Sequence, residues 1–228
     1  IMKNLGQISS RISDNFTAKN AARDKALDFS RTLIRFCANS IRAAHRDERD
    51  EARSQLAQAK QIVDAIRADL AQYPDLYHAG YTQDALKEFA EANIVLALIA
   101  DEPLPEPEAL GVEYAAYLNG LGEAATEMRR RCLDIIRRDH SAEAERLLGA
   151  MDEIYSLLVT IDYPDAITGG LRRTTDVVRS VVERTRGDLT TSLRQQRLQD
   201  ALKQYGGLSA NQVRKGNADK ADATDERG

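Results

Sequence analysis

Residues 94–100 carry no polar side chain, and they follow closely on Glu88-Phe89-Ala90-Glu91-Ala92. An apolar run of that kind, rich in Ala and Leu and without period-two alternation, predicts a helix that lies inside the protein. Two carboxylates stand near its start, one helical turn apart. Burial at the start of such a helix desolvates them in part, and an unpaired anion does not tolerate that. They need a cation, either an Arg or Lys side chain or a metal ion.

The rest of the chain has the composition to enclose such a helix. Its 228 residues fit one large domain or two small ones, and Ala, Leu, Arg, Glu, Asp and Gln dominate. There are only five Pro and no Trp, and period-two clusters of Val, Ile and aromatics are missing, which predicts an all-α protein. The net charge of −4 gives no polyelectrolyte signal, so any nucleic-acid surface must be local. Cys37 and Cys132 lack a CxxC partner and read as buried thiols of a reducing compartment. No secretory leader is expected, and no apolar run approaches the ~20 residues that a membrane span needs. A cytoplasmic protein without membrane association is expected.

Along the chain, residues 8–44 read as one helix with Phe29, Leu33, Phe36, Ser40 and Ala43 on one stripe. Arg31, Arg35, Arg42 and Arg46 take the opposite face. A second helix over 50–72 buries Leu56, Ala59, Val63, Ile66 and Leu70, and Tyr73-Pro74-Asp75 ends it. Residues 76–83 form a connector, and Thr82 is placed to cap a third helix ending near Ala100. Prolines at 103, 105 and 107 forbid helix over 101–108. Helices over 112–138 and 142–161 follow, the second capped by Ser141, and a last one runs from 171 to 204. The reading is one antiparallel bundle of six or seven long helices over residues 21–205. A helical extension (1–20) precedes it, and a disordered polar tail (206–228) follows.

Asp84, Glu88 and Glu91 stand at i, i+4 and i+7, so they share a helix face. Hard oxygen ligands converging there suit Mg²⁺ or Mn²⁺. Only three His exist, none in a Glu-x-x-His spacing, which disfavours a ferritin-like di-iron site and a hydrolytic zinc site. A carboxylate-bound divalent ion activates water and offsets charge on a phosphodiester. The plainer alternative is that Glu88 and Glu91 pair with arginines of neighbouring helices. A nucleotide pyrophosphohydrolase of the MazG-like type is a further alternative. It needs a Glu-x-x-Asp on the next helix, where this chain has Glu123 and Glu127, four apart.

Ser30-Arg31, Arg35, Ile41-Arg42 and His45-Arg46, then Tyr77-His78 ahead of Leu86-Lys87-Glu88-Phe89-Ala90-Glu91-Ala92, form an ordered set. Glu127-Met128-Arg129, Arg138-Asp139 and Leu171-Arg172-Arg173 continue it. Taken together, roughly residues 21–204 resemble the translin family, and the Glu-x-x-Glu-Ala segment resembles its nuclease-type members (translin-associated factor X). The resemblance implies an all-α bundle, assembly into a hollow homo-oligomer, commonly an octamer, and binding of single-stranded RNA or DNA. It implies Mg²⁺-dependent RNA cleavage by three acids, which carry over onto Glu88, Glu91 and Asp139, with Glu127 as an outer member. The segment 101–108 has no counterpart in that pattern.

Tyr77, His78 and Tyr81 are candidates to stack on unpaired bases, and Lys87, Arg172 and Arg173 to contact phosphates. Arg172, Arg179 and Arg186 share a face, although Arg179 can pair with Glu183 in its own helix. His45 and His140 read as surface or capping residues, and no His general acid is apparent. The expected activity is therefore endonucleolytic cleavage of single-stranded RNA, a duplex being too wide for a narrow chamber. The alternative is a single-strand-binding oligomer without catalysis.

Overall fold

A computed structural model of the chain describes residues 4–137 and 142–225, with side chains to residue 204. Nine helices and no strand occur among the described residues. Six are long: α1 (Leu5–His45), α2 (Arg49–Asp69), α4 (Gly80–Ala100), α6 (Tyr114–Ile136), α7 (Ala142–Thr160) and α9 (Leu171–Asp225). Three are single turns: α3 (Pro74–Tyr77), α5 (Pro107–Leu110) and α8 (Asp165–Thr168). No helix among the described residues is long and apolar enough to cross a membrane.

The apolar helix α4 is the centre. It packs against α1, α2, α6 and α7, and α9 closes the bundle against α6 and α7. Its last two turns, Ile94, Val95, Leu96, Ala97, Leu98 and Ile99, are all buried. Burying them provides much of the core's hydrophobic driving force, at roughly 1.5–3 kcal/mol for each large side chain. Asp101 takes a left-handed conformation (φ 59°) and ends the helix, and the prolines that follow keep the chain extended. Pro107 is the exception to the expected helix-free stretch. It stands at the first position of α5, where a missing N–H costs nothing.

The buried stripe of α1 differs from the expected one. It is Ala26, Ser30, Leu33, Cys37, Ser40, Ala43 and Ala44, so Leu33, Ser40 and Ala43 are buried as expected, while Phe29 and Phe36 sit only half-buried at its edge. Small side chains let α1 approach α2 and α4 closely, and the hydroxyl of Ser40 donates to the carbonyl of Ala52 (3.0 Å). The two rings lie under Lys25 (5.3 Å) and Arg35 (5.7 Å) instead. The expected stripe of α2 is buried as read, from Leu56 to Leu70.

Thr82 does not cap α4. The helix starts two residues earlier, at Gly80, and the Thr82 hydroxyl donates back to the carbonyl of Leu76 (2.9 Å), tying α3 to α4. Beyond residue 206, where composition reads as a tail without structure, the backbone of α9 continues to Asp225. No proline follows Pro164 in the sequence, so no residue there lacks the N–H that the helix needs. Ser141 lies outside the described residues.

Candidate functional site

Glu88 and Glu91 stand one turn apart on the face of α4 that meets α6. Gly120 controls how close that meeting is. A Cβ on Gly120 would lie 2.8 Å from the Lys87 carbonyl oxygen and 2.9 Å from the Glu91 backbone nitrogen, so no other residue fits. The approach carries Glu123, one turn further along α6, onto the same spot. Carboxylate oxygens of Glu88, Glu91 and Glu123 come within 4.8 Å of one another.

Lys87 is the nearest cation. Its Nζ donates to Oε1 of Glu123 (2.7 Å) and lies 3.7 Å from Oε1 of Glu88. Burial opposes its charge, but the Glu123 hydrogen bond and the neighbouring carboxylates outweigh burial, and its pKa is raised. One ammonium does not neutralise three carboxylates. Glu91, only 7% exposed, has its pKa pushed up to about 8, first by burial, then by the charges of Glu88, Glu123 and Glu127. The Glu88 carboxyl is raised too, by burial and by Glu123. Behind the acids, burial first and then Glu88 and Glu91 push the Cys37 thiol up, which leaves it an inert core group. Cys132 is likewise a buried free thiol.

The expected outer acid, Glu127, is used differently. Its Oε2 meets Nε2 of His45 at 2.8 Å, and that bond holds its pKa below the usual carboxylate range. His45 is therefore not a surface or capping residue. Its side chain is 3% exposed, at the end of α1, and its carbonyl accepts from Arg131 (3.3 Å). Arg131, in turn, bridges Asp47 (2.8 Å) and Glu143 (2.9 Å), pinning the α1–α2 corner to the start of α7. Asp139 and His140 lie outside the described residues. The third carboxylate brought to Glu88 and Glu91 is thus Glu123, which sequence reasoning weighed only for the spacing of another enzyme class. The signal for it was Gly120, a glycine inside a helix one turn before an acid.

The acids floor a cleft of about 1490 Å³ between α4, α6, α8 and α9. His78, Lys87 and Arg173 line it, and Asp84 stands exposed at its wall. The other candidate contacts fall elsewhere. The Tyr77 hydroxyl donates to Oε1 of Glu113 (3.1 Å), and its ring meets His78 edge-on, 5.0 Å between centroids. Tyr81 packs against the core, with its hydroxyl enclosed. Arg172 turns away to an exposed pair with Asp162 (3.1 Å). Arg179 pairs with Glu183 (3.2 Å) and Arg186 with Asp152, so the seven-residue Arg repeat on α9 is engaged in ion pairs.

Three hard carboxylate ligands, one of them nearly buried, suit a divalent cation such as Mg²⁺ or Mn²⁺. Glu88, Glu91 and Glu123 are the residues that could hold it. Without one, a proton on Glu91 and the Lys87 ammonium share the task of offsetting the charge.

No protein-family profile matches the chain. It is 31% identical over 194 residues to the uncharacterized protein MJ0175 of Methanocaldococcus jannaschii, covering 84% of this chain and 86% of that one. Among solved structures it is similar to AfC3PO in complex with duplex RNA, at a TM-score of 0.74 and 30% identity, covering 83% of this chain and 96% of that one. Apo-NeC3PO superposes equally well (TM-score 0.74, 84% and 98% coverage) at 19% identity, and so speaks to the fold alone. The helical bundle, its likeness to these translin-like C3PO components across most of the chain and the 30% identity to AfC3PO show that the chain belongs to the translin family.

Proposed function

We propose that this chain is a metal-dependent endoribonuclease of a homo-oligomeric, translin-like assembly, acting on single-stranded RNA. The observation that carries the reading is the convergence of Glu88, Glu91 and Glu123 at the floor of an open cleft that Arg173 also lines. AfC3PO, 30% identical, was solved in complex with duplex RNA, which supports RNA as the ligand class.

Glu88, Glu91 and Glu123 would hold Mg²⁺ or Mn²⁺. When bound, such an ion supplies Lewis-acid activation of water and offsets charge on a phosphodiester. The chain's own residues do the rest. Arg173 offers a guanidinium to the phosphate backbone as it enters. Lys87 sits beside the acids as a second positive group for the strand. His78, exposed at the rim, is available to an unpaired base. Closing the cleft inside a hollow oligomer, of which an octamer is the expected form, would select flexible strands.

A second reading has its own observation. Lys87 and a proton on Glu91 already offset most of the charge of the three carboxylates. On that reading the chain is an RNA-holding oligomer without catalysis.

One experiment separates them. Labelled single-stranded RNA and a duplex of the same sequence are incubated with the wild type, Glu91→Gln and Glu123→Gln, in Mg²⁺, Mn²⁺ or EDTA. The native mass of each is measured alongside. Cutting by the wild type that needs the divalent ion, lost in both variants with mass and binding kept, supports the nuclease. Binding without cutting in any metal leaves the passive holder.

A further inference from the structure

We infer that Tyr114, Ile167 and Val177 form a shelf in the cleft that holds an unpaired nucleobase beside the carboxylate cluster. This rests on the RNA reading above and names the part of the strand that the site grips.

Tyr114 is 67% exposed, Ile167 65% and Val177 46%, and all three line the same cleft as Glu88 and Glu91. A single exposed apolar side chain needs no explanation. Three arriving from α6, α8 and α9 in one cleft do, because each leaves apolar area in water that a ligand would cover.

The shelf is held in place from behind. Asn119, buried under it, donates from Nδ2 to the carbonyl of Thr168 (2.8 Å), the neighbour of Ile167. Its Oδ1 accepts from the hydroxyl of Thr174 (2.7 Å), one turn before Val177. One amide thus fixes α8 and α9 against α6. The Tyr114 hydroxyl donates to Oε1 of Glu108 (2.7 Å), which fixes the ring while its face stays in solvent. A surface arranged in advance loses little side-chain entropy when something lands on it.

The surroundings choose the occupant. The core of a subunit interface is depleted in charge. This apolar shelf instead shares its cleft with Asp84, Glu88, Glu91, Glu113, Glu123 and Asp165. A second copy of the chain would bury those acids against apolar surface. A nucleotide matches the mixture: its base presents an apolar face to the shelf, and its phosphate points to the cation-holding wall and Arg173. Every base has such a face, so the grip is tolerant of sequence, and a paired base stacked in a duplex cannot offer it.

The test uses the full chain in Ca²⁺, a larger oxygen-binding cation that can fill the carboxylate site but activates water poorly, so that binding is read with the acids neutralised and with little cleavage. Fluorescence anisotropy follows a labelled oligouridylate, an oligomer of abasic ribose phosphates of equal length, and an RNA duplex, against the wild type, Tyr114→Ala, Tyr114→Phe and Ile167→Ala. Tyr114→Ala should weaken oligouridylate binding on the order of 10-fold, as loss of one stacked base does. Tyr114→Phe, which keeps the stacking face and loses only the tether to Glu108, should lose far less affinity than Tyr114→Ala. The abasic oligomer should bind more weakly than oligouridylate, and alike to the wild type and Tyr114→Ala. Equal oligouridylate affinity in Tyr114→Ala and the wild type overturns the shelf and leaves the RNA reading intact, as does equal wild-type affinity for the abasic strand and oligouridylate. A fall in native mass of Tyr114→Ala or Ile167→Ala also overturns it, since the shelf would then be a contact between copies. No binding of any of the three probes by the wild type sinks the RNA reading itself, and the shelf with it.

Discussion

The backbone nitrogen of Glu91 lies 2.9 Å from where a Cβ on Gly120 would stand. The space that α6 vacates there is what lets Glu123 reach Glu91. Gly120→Ala should therefore push the helices apart and spread the acids. Overpacking of this kind costs about 1–3 kcal/mol, which in a chain of this size lowers the melting temperature by several degrees. Gly149→Ala is the control. It lies on α7 with nothing within 4 Å of its would-be Cβ, so helix propensity alone should raise stability slightly. Thermal denaturation of both variants in EDTA checks the pair, and equal melting of Gly120→Ala and the wild type would mean that the approach is not tight.

Glu91 gives the protein a pH dependence opposite in sign to that of most carboxylates. Its folded pKa is pushed up to about 8, well above its ordinary value of 4.5. Between those values the unfolded chain has released its proton and the folded chain has kept it. Stability is then fully present below the ordinary value and is lost as pH rises through about 8. In EDTA the melting temperature should fall from mildly acidic to mildly alkaline buffer. Glu91→Gln, which cannot ionise, should flatten that limb and melt higher than the wild type on the alkaline side. An unchanged slope in Glu91→Gln would show that its proton is not the source.

The helices and the position of α4 were legible because they follow from local chemistry. An apolar run with no breaker has to be central, and the stripe of α2 has to face inward. Glu88 and Glu91 were legible for the same reason: their spacing fixes a shared face. Glu123 was not, because its partnership depends on where α6 crosses α4, and that depends on one missing side chain at Gly120. The stripe of α1 was misread toward its large rings. Volume suggested that Phe29 and Phe36 were core, whereas close helix packing selected Ala26, Ser30 and Ala44. Tyr81 reads as an accessible loop residue, but Gly80 already begins a helix that turns it onto the core.

Lys87 and a divalent cation compete for the same oxygens. With Lys87→Met the Glu123–Lys87 hydrogen bond (2.7 Å) is gone, and the three carboxylates face one another with no ammonium between them. The metal-free protein should melt lower than the wild type, and it should bind Mn²⁺ several-fold more tightly. Binding must also expel the proton from Glu91, so affinity in the wild type should rise with pH. Calorimetric titration with Mn²⁺ at two pH values, in buffers of different protonation enthalpy, reads both the affinity and the protons released. Absence of Mn²⁺ binding to wild type and Lys87→Met alike would remove the metal from the site and leave the carboxylates to Lys87 alone.

His45 keeps Glu127 out of the cluster, and its replacement tests that division of labour. The bond from Nε2 to Glu127 (2.8 Å) lies where the imidazole is 3% exposed. Losing a hydrogen bond to a charged partner there costs about 1–3 kcal/mol. Glu127 has a folded pKa below its ordinary value, so its contribution is present above that value and is lost as pH falls through the folded pKa. His45→Phe should therefore melt several degrees lower at neutral pH, and the gap from the wild type should narrow as the buffer is made strongly acidic. This limb is the reverse of the one Glu91 controls, so the two titrations separate on one axis. Freed from His45, Glu127 can turn toward Glu91 as a fourth oxygen donor, and Mn²⁺ affinity should then hold or rise. A fall in Mn²⁺ affinity in His45→Phe would instead mean that the dyad orients the ligands, with Glu127 acting on Glu91 from its tethered position.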